Sequence, residues 1–431
     1  MKKRKNNFGW LIRKLANLQV AISLLFTIGF FIAIGTVIEQ GEPISFYKEN
    51  YTESNPILGF LNWRIILLFN LNELYTSYLF ISLLILFGAS LIACTFTTQL
   101  PALKKFRLWR FLKYVEQFQK FTANNRKSIK CFNTTIFGFH GNDYHLFRQG
   151  KKNYAYSGLI GRVAPIIVHL SIIILLLGSM LGSFEGFEAQ EMVPRGEIFH
   201  NQNIIKSGNL SLIGQKLSCR VNDFWITYTK DSKINQFYSD LSIIDTTGAE
   251  LKRKTIFVNE PFVYSGTTIY QTDWDILGLK LKINNDKIVQ IPVRKIKTNN
   301  QKIWLGNLVV DSKVEGKYTL LLNDLNGSIL LYDQKGTLVQ KFSFGENFTL
   351  DKNNQIEIYD YITTTGLQIK KDPGLDIIYI SFLLLMISIY ASFISYSQIW
   401  SVEKSSEFFV AGKSNRAVLY FQQELKRLLQ Q

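Results

Sequence analysis

The sequence predicts a membrane protein with four transmembrane helices and one large extramembrane domain that is mainly β, either a sandwich or an open barrel. Four apolar segments approach the roughly twenty residues that a helix needs to cross a bilayer core of about 30 Å. A long polar stretch between the third and fourth segments is rich in strand-forming and turn residues. Of the 431 residues, 47% are hydrophobic, which fits a few spans combined with a water-exposed domain.

The distribution of basic residues predicts how the spans are oriented. Residues 99–162 contain thirteen Lys and Arg and two acids, whereas 39–77 contains five acids and two bases. The positive-inside rule therefore places both chain ends and 99–162 on one side of the membrane and the large domain on the other. The predicted order is a basic N-terminus (1–19), first span (20–38), short loop (39–77), second span (78–98), basic segment (99–162), third span (163–182), β-rich domain (183–375), fourth span (376–396) and a tail with an amphipathic helix (397–431).

Several function classes are disfavoured. The net charge is +16, but the basic residues gather beside the spans, so we expect a lipid bilayer and no nucleic acid as partner. Cys94, Cys131 and Cys219 are far apart and form no Cys-x-x-Cys, which argues against a dithiol motif, covalent haem attachment and a thiolate metal cluster. Motifs for hydrolysis or group transfer are absent, so the sequence predicts no catalytic residue and no metal site.

The smaller polar regions give weaker signals. The first span lacks a cleavage site, so we expect it to be retained rather than removed as a signal peptide. Residues 101–121 fit an interfacial amphipathic helix or a solvated basic helix, and 128–157 suggests a small α/β patch. In the tail, an apolar stripe predicts the amphipathic helix. A phosphate loop at 411–414 is rejected because the glycine that it requires upstream is replaced by Glu407.

The domain at 183–375 alternates strand-like segments with turn residues. Asn326-Gly327 is a favourable hairpin turn. An antiparallel arrangement follows from this pattern. The predicted strands are 217–228, 236–245, 255–257, 267–272, 279–283, 317–322, 328–332, 338–344 and 355–361. The aromatic strand that ends at Trp274 fits either a packed sheet with Trp274 in its core or a docking surface for a protein or cofactor.

Among the four histidines, His169 is the main candidate for function because it lies inside the third span, where an ionisable residue is costly. One interpretation is a neutral imidazole that is hydrogen-bonded to a neighbouring helix. The other interpretation is that His169 faces a partner subunit and contacts a haem or its propionates. A neutral imidazole is a common axial ligand of haem. His200 is a weaker candidate for cofactor binding, and His140 and His145 are expected at the surface.

A set of short motifs in order along the chain resembles the CcsB/ResB family of cytochrome c biogenesis proteins, in its plastid and cyanobacterial form. Each motif is weak alone, but together they extend over nearly the whole chain. The motifs are GTVIEQ (35–40), NWR (62–64), YTS (75–77), CTF (94–96), QLP (99–101), GLIGR (158–162), VHL (168–170), GSMLG (178–182), FVNEP (257–261), YQTDW (270–274) and GKSNRA (412–417).

The resemblance implies a membrane partner of CcsA, in a system that delivers haem across a bilayer and attaches it to apocytochromes c. His169 looks most like the essential histidine of that family. The tryptophan-rich haem-handling motif belongs to CcsA and is absent here, which implies a non-catalytic subunit of a haem lyase complex. The composition and the lack of a transit peptide resemble a plastid-encoded thylakoid protein with its large domain in the lumen; a cyanobacterial thylakoid is the alternative.

Two other functions are compatible with the sequence. One is a membrane-tethered sensor whose extracytoplasmic sheet binds a ligand, although 99–162 lacks phosphotransfer motifs. The other is a structural assembly factor that never contacts haem. The main hypothesis is haem delivery and attachment, with CcsA, to cytochrome f and a soluble c-type cytochrome.

Overall fold

The chain divides into two compact units, Met1–Ser179 with Asp376–Gln431, and Met180–Leu375. The computed structural model describes residues 7–54, 56, 59, 61–106, 108–121, 123–128, 143–213, 218–231, 233–284, 287–298, 301–309, 317–323, 325, 328–351, 354–404 and 407–430. Apolar helices and one sheet form the first unit, and antiparallel sheets form the second. The predicted fold class is confirmed, and the large β sheets are open rather than closed into a barrel.

Four helices of the described residues are long and apolar enough to cross a membrane. They are the first apolar helix Leu18–Val37, the second Tyr78–Lys105, the third Ile160–Glu185 and the fourth Leu375–Ser392. The fourth ends before the predicted limit at 396 because the chain turns there into a strand that begins at Ser397. The shorter helices are Asn7–Leu15, Ile44–Asn50, Trp63–Leu68, the 3₁₀ helix Leu71–Thr76, Glu116–Gln119 and Val418–Gln430.

The second apolar helix changes its winding near its end. An α-helix over Tyr78–Cys94 passes into a π-helical turn at Thr95–Gln99 and returns to α geometry over Leu100–Phe106. The Thr95 hydroxyl donates to the Leu91 carbonyl at 2.8 Å, a local bond that relieves the backbone where the normal ladder is interrupted. Such π-turns widen a helix and occur often at functional sites.

Small residues allow the third and fourth apolar helices to approach closely. The buried residues of the third helix are Gly161, Ala164, Ser171 and Gly178, which share one face. A Cβ on Gly161 would lie 1.9 Å from the Ile394 carbonyl oxygen, and one on Gly178 would lie 3.0 Å from the Ile377 side chain. Close backbone approach of this kind is how helices associate in lipid, where hydrophobic driving force is absent.

A five-stranded antiparallel sheet joins two distant parts of the first unit. Its order is β1-β20-β19-β3-β2, with β1 at Ala123–Ser128, β2 at His145–Gln149, β3 at Lys152–Ser157, β19 at Ser397–Lys404 and β20 at Glu407–Ser414. The two tail strands were not predicted. The helix Val418–Gln430 buries Phe421 and Leu425 against this sheet. Residues 129–142 of the predicted α/β patch lie outside the described residues.

The single helix predicted for 101–121 is wrong, in both its interfacial and its solvated form. The helix from Leu100 ends at Phe106, and among the residues described between there and Phe121 only Glu116–Gln119 is helical. Trp109 instead stacks on Phe147 of β2 with ring centroids 4.0 Å apart. The Trp400 indole donates to the Arg110 carbonyl at 2.8 Å. Packing of the aromatic residues against the sheet overrides helix formation in this segment.

The second unit consists of two antiparallel sheets. The larger has eleven strands in the order β16-β15-β14-β13-β12-β11-β18-β4-β6, with β10 paired to β11 and β17 to β18, and the smaller has the order β5-β7-β8-β9. The strands are β4 Phe187–Pro194, β5 Ile198–Phe199, β6 Ile204–Ser207, β7 Ser218–Tyr228, β8 Ile234–Ile244, β9 Glu250–Phe257, β10 Phe262–Tyr264, β11 Thr267–Ile283, β12 Lys287–Thr298, β13 Gln301–Val309, β14 Lys317–Leu322, β15 Ser328–Tyr332, β16 Leu338–Ser343, β17 Asn347–Asp351 and β18 Asn354–Lys371.

The core of the second unit contains Trp274. This side chain is only 6% exposed, and its ring centroid lies 5.2 Å from that of Trp304. The packed-sheet interpretation of the aromatic strand therefore holds for Trp274, which is not part of a docking surface. The predicted turn at Asn326-Gly327 lies outside the described residues; the strands β14 and β15 on either side of it pair antiparallel.

Candidate functional site

His169 meets the π-helical turn of the second apolar helix. Its Nδ1 atom lies 3.0 Å from the Thr95 hydroxyl oxygen, and its Nε2 atom lies 3.1 Å from the amide nitrogen of Gln99. The two partners stand at the beginning and the end of the same π-turn. Both nitrogens of the imidazole are thus engaged by one neighbouring helix, which confirms the predicted hydrogen-bonded histidine.

The contacts of His169 indicate which of its nitrogens carries the proton. This hydroxyl has one hydrogen and donates it to the Leu91 carbonyl, so it can only accept a hydrogen bond from the imidazole. From these contacts we infer that Nδ1 carries the proton and that the lone pair of Nε2 accepts from the Gln99 amide nitrogen. The result is a neutral imidazole whose coordinating lone pair points at an amide group.

Gln99 is poorly satisfied in this arrangement. Its Oε1 atom is buried and has no hydrogen-bond partner among the described residues. A buried polar atom without a partner costs about 1–3 kcal/mol. This cost partly offsets the stabilisation that the contact between Gln99 and His169 provides. A ligand that competes for Nε2 therefore meets a modest barrier.

The imidazole site fits a haem iron by its chemistry. Iron porphyrins accept the lone pair of a neutral imidazole whose other nitrogen is held by a hydrogen bond. Thr95 supplies that bond on Nδ1, and Nε2 is blocked only by an amide. No cluster of three or more metal-binding side chains occurs in the described part of the chain, so the fit concerns one axial ligand rather than a complete protein-built metal site.

The other histidines have different surroundings. His200 belongs to the second unit, where its Nδ1 atom lies 3.3 Å from the Ser218 hydroxyl in an exposed position. His145 begins β2 and packs against Tyr156, with centroids 5.2 Å apart. His140 lies outside the described residues, as does Cys131. None of the described contacts gives His200 or His145 the enclosed environment that His169 has.

The thiol of Cys219 is unsuited to chemistry. Its side chain is fully buried in the core of the second unit, and burial raises the pKa of Cys219 to about 12. A thiol with such a pKa is almost entirely protonated near neutral pH and is a weak nucleophile.

A second polar cluster, at the start of the third apolar helix, was missed from the sequence. The guanidinium of Arg162 lies over the Tyr396 ring at 5.5 Å. Arg416 donates to the Ser392 carbonyl at 2.6 Å and lies 5.7 Å from the Phe393 ring centroid. The sequence did contain a signal for these two residues, because Arg162 belongs to the short motif at 158–162 and Arg416 to the one at 412–417. Nothing in their spacing revealed that they meet.

Comparison with known proteins finds similar chains in algae and cyanobacteria. A family model described as ResB-like family matches residues 18–318 and 298–426. The chain is 54% identical over 417 residues to "Cytochrome c biogenesis protein Ccs1" of Emiliania huxleyi, covering 97% of this chain and 95% of that protein. It is 47% identical over 426 residues to the protein of the same name in Pyropia yezoensis, with coverage of 99% and 96%. It is 44% identical over 430 residues to "Cytochrome c biogenesis protein CcsB" of Crocosphaera subtropica, with coverage of 99% and 95%.

Proposed function

Because this chain belongs to the ResB-like family, we propose that it acts in the biogenesis of c-type cytochromes, at the step of haem delivery and attachment, as the membrane partner of CcsA. The names of its relatives support a role in cytochrome c biogenesis. The chain is a non-catalytic subunit, and the cytochromes served are cytochrome f and a soluble c-type cytochrome.

The observation that carries the proposal is the pair of contacts around His169. An ionisable residue within an apolar helix is costly and is usually retained for a role. Here the Thr95 hydroxyl fixes the tautomer that leaves the lone pair on Nε2, the atom that an iron would take. The Gln99 amide occupies that atom in the absence of cargo. This arrangement suits a residue that receives and then releases haem.

In this function, each side chain has a separate task. The Nε2 atom of His169 would hold the iron in the place that the Gln99 amide now takes. Thr95 keeps Nδ1 protonated, so the imidazole stays neutral and correctly oriented. When the cargo leaves, Gln99 returns to Nε2. His169 is the only histidine in the described parts of the four apolar helices, and we propose that CcsA would supply any further ligand to the iron.

The proposed location is a thylakoid membrane, of a plastid or of a cyanobacterium. The relatives from algae and cyanobacteria support this location. The positive-inside rule orients the first unit with its five-stranded sheet in the stroma or cytoplasm and the second unit in the lumen. His169 lies in the half of its helix nearer the basic side, so we propose that it receives haem at entry and that attachment occurs elsewhere in the complex.

The experiment is a gene replacement with His169→Ala, with Thr97→Ala as the matched control. Thr97 lies in the same π-turn, but its hydroxyl donates to the Ala93 carbonyl and does not contact His169. Membranes are stained for covalently bound haem, and the variant chain is quantified by immunoblot. We expect His169→Ala to abolish the stained c-type cytochromes while the chain still accumulates, and Thr97→Ala to leave them normal.

Other outcomes would assign the chain differently. Normal cytochromes in His169→Ala, together with their loss on gene deletion, would make the chain a structural assembly factor that does not use this histidine. Normal cytochromes after gene deletion would refute the proposal altogether. A ligand-binding sensor would then be the remaining hypothesis.

A further inference from the structure

Two arginines from distant parts of the chain meet beside the segment that follows the fourth apolar helix. Arg162 belongs to the third apolar helix, and Arg416 follows strand β20. The Arg162 guanidinium lies 5.5 Å from the Tyr396 ring centroid, and the Arg416 guanidinium donates to the Ser392 carbonyl at 2.6 Å, so both contact the same short segment. Arg416 takes part in none of the ion pairs that the described residues form. Two guanidinium groups held together in this way favour the binding of an anion.

The backbone around the two arginines is fixed. A Cβ on Gly158 would lie 2.0 Å from the Ser395 carbonyl oxygen, so only glycine permits this approach. Asn415 accepts a hydrogen bond from the Tyr396 N–H at 2.7 Å, and its own N–H donates to the Tyr396 carbonyl at 3.1 Å. These bonds connect the residue beside Arg416 to the residue on which Arg162 lies. The backbone that carries the two arginines is therefore held in place by the fold.

The spacing between Arg162 and His169 relates this cluster to the imidazole. Seven residues along an α-helix correspond to about 10.5 Å of rise and nearly two full turns, so both side chains start from the same helix face. This rise is comparable to the separation between the iron of a haem and its propionate carboxylates. The two propionates extend from one edge of the ring, and two arginines stand in that direction from His169.

We propose that Arg162 and Arg416 bind the propionates of the haem whose iron is bound by His169. The inference rests on the proposed function and adds an orientation: the propionate edge faces the start of the third apolar helix. Arginine is well suited to this task because its planar fork matches a carboxylate with two parallel hydrogen bonds. Arginines that merely anchor a helix at lipid phosphates are the competing explanation, and the following experiment separates the two.

The test uses the full chain in nanodiscs of zwitterionic lipid, titrated with haem b and with its dimethyl ester, whose propionates carry no charge. Binding is followed by the absorption spectrum for the wild type, Arg162→Gln, Arg416→Gln and His169→Ala. Arg427→Gln is the matched control, since Arg427 is an exposed arginine of the C-terminal helix. Normal binding of the ester shows that an arginine variant is folded, and Arg162→Lys provides a milder substitution.

We expect each Arg→Gln substitution to weaken haem b binding about tenfold, as for loss of a charge-assisted hydrogen bond. The same substitutions should leave ester binding unchanged, and Arg427→Gln should affect neither ligand. If the arginine variants lose affinity equally for haem b and the ester, or lose it for neither, the assignment of the arginines is overturned. The role of His169 would be unaffected as long as His169→Ala still weakens haem binding. If the wild type fails to bind haem, or if His169→Ala binds haem as tightly as the wild type, the underlying haem function is refuted.

Discussion

The amide nitrogen of Gln99 lies 3.1 Å from Nε2 of His169, so the coordinating lone pair of this imidazole is covered by a group from another helix. Since the Thr95 hydroxyl holds the proton on Nδ1, no other nitrogen of the ring is available to a metal. Any ligand of His169 must therefore displace Gln99. The haem affinity of Gln99 variants therefore tests whether Gln99 covers Nε2.

Gln99→Leu should strengthen haem binding. The substitution removes the donor that competes for Nε2, together with the buried Oε1 atom that has no partner among the described residues. One hydrogen bond contributes about 0.5–1.5 kcal/mol net, so we expect an affinity for haem b about two- to tenfold higher. Absorption titration of the full chain in nanodiscs measures it. Weaker binding than in the wild type would mean that Gln99 assists the ligand rather than covers the site.

Thr95→Val should have the opposite effect. Valine keeps the shape of threonine but offers no acceptor to Nδ1, so the imidazole is no longer held in one tautomer. We expect haem affinity to fall about two- to tenfold. Thr97→Val is the control because Thr97 shares the π-turn without contacting His169. Equal losses in the two variants would assign the effect to the π-turn backbone.

Gly161→Ala should prevent stable accumulation of the chain. The added Cβ would lie 1.9 Å from the Ile394 carbonyl oxygen, and forcing extra atoms into a packed interface typically costs about 1–3 kcal/mol or more. Gly29→Ala in the first apolar helix is the matched control, since a Cβ there has nothing within 4 Å. Immunoblots of membranes compare the two variants. Equal amounts of both would show that the third apolar helix does not approach the segment after the fourth helix this closely.

The sequence predicted the spans well and singled out His169, because both signals are local. A run of apolar residues as long as a bilayer core defines a helix regardless of its neighbours. A histidine within such a run stands out for the same reason. The partners of His169 could not be found in this way, because Thr95 and Gln99 resemble the ordinary polar end of a span. Only the structure shows that the π-turn directs both at one ring.

The strands that were missed have nonlocal or ambiguous signals. In β12 and β13, lysines interrupt the apolar pattern, and pairing with β11 and β14 supplies the stability that the segment lacks alone. Tail strands β19 and β20 form a sheet with β3, which lies more than two hundred residues earlier. Long-range pairing of this kind leaves no mark in a local pattern. The same limitation concealed the meeting of Arg162 and Arg416.

Glu424→Gln should stabilise the first unit in a pH-dependent manner. Burial raises the pKa of Glu424, partly opposed by a hydrogen bond with Tyr144. A carboxyl with a raised pKa in the folded state favours folding below its unfolded pKa, and this contribution is lost as pH rises through the folded pKa. Glutamine mimics the protonated form. We expect the melting temperature of the variant to exceed that of the wild type near pH 8, with a difference that shrinks toward about pH 4.

Thermal unfolding of the detergent-solubilised chain across this pH range checks the expectation. A difference that grows on acidification would reverse the sign and show that Glu424 is stabilised as a carboxylate. Glu116→Gln is a suitable control because that residue is exposed.

Cysteines introduced into the two units should report opposite sides of the membrane. Lys404 is exposed at the end of β19, and Thr246 is exposed in a turn of the second unit. The two variants are Lys404→Cys and Thr246→Cys. An impermeant maleimide added to the stromal face of sealed thylakoids should label the first and not the second. Inverted vesicles should give the reverse result, and the wild type gives the background. Labelling of both positions from one face would contradict the proposed topology.

The central claim is that Nε2 of His169 binds haem iron, and the most direct measurement is the absorption spectrum of the purified complex with His169→Gly, before and after addition of free imidazole. Glycine leaves space where the ring was, so imidazole can take its place. We expect the Soret band of bound haem to be lost in the variant and restored by imidazole, at an unchanged amount of folded chain. A variant that retains the wild-type haem spectrum without imidazole would contradict the claim.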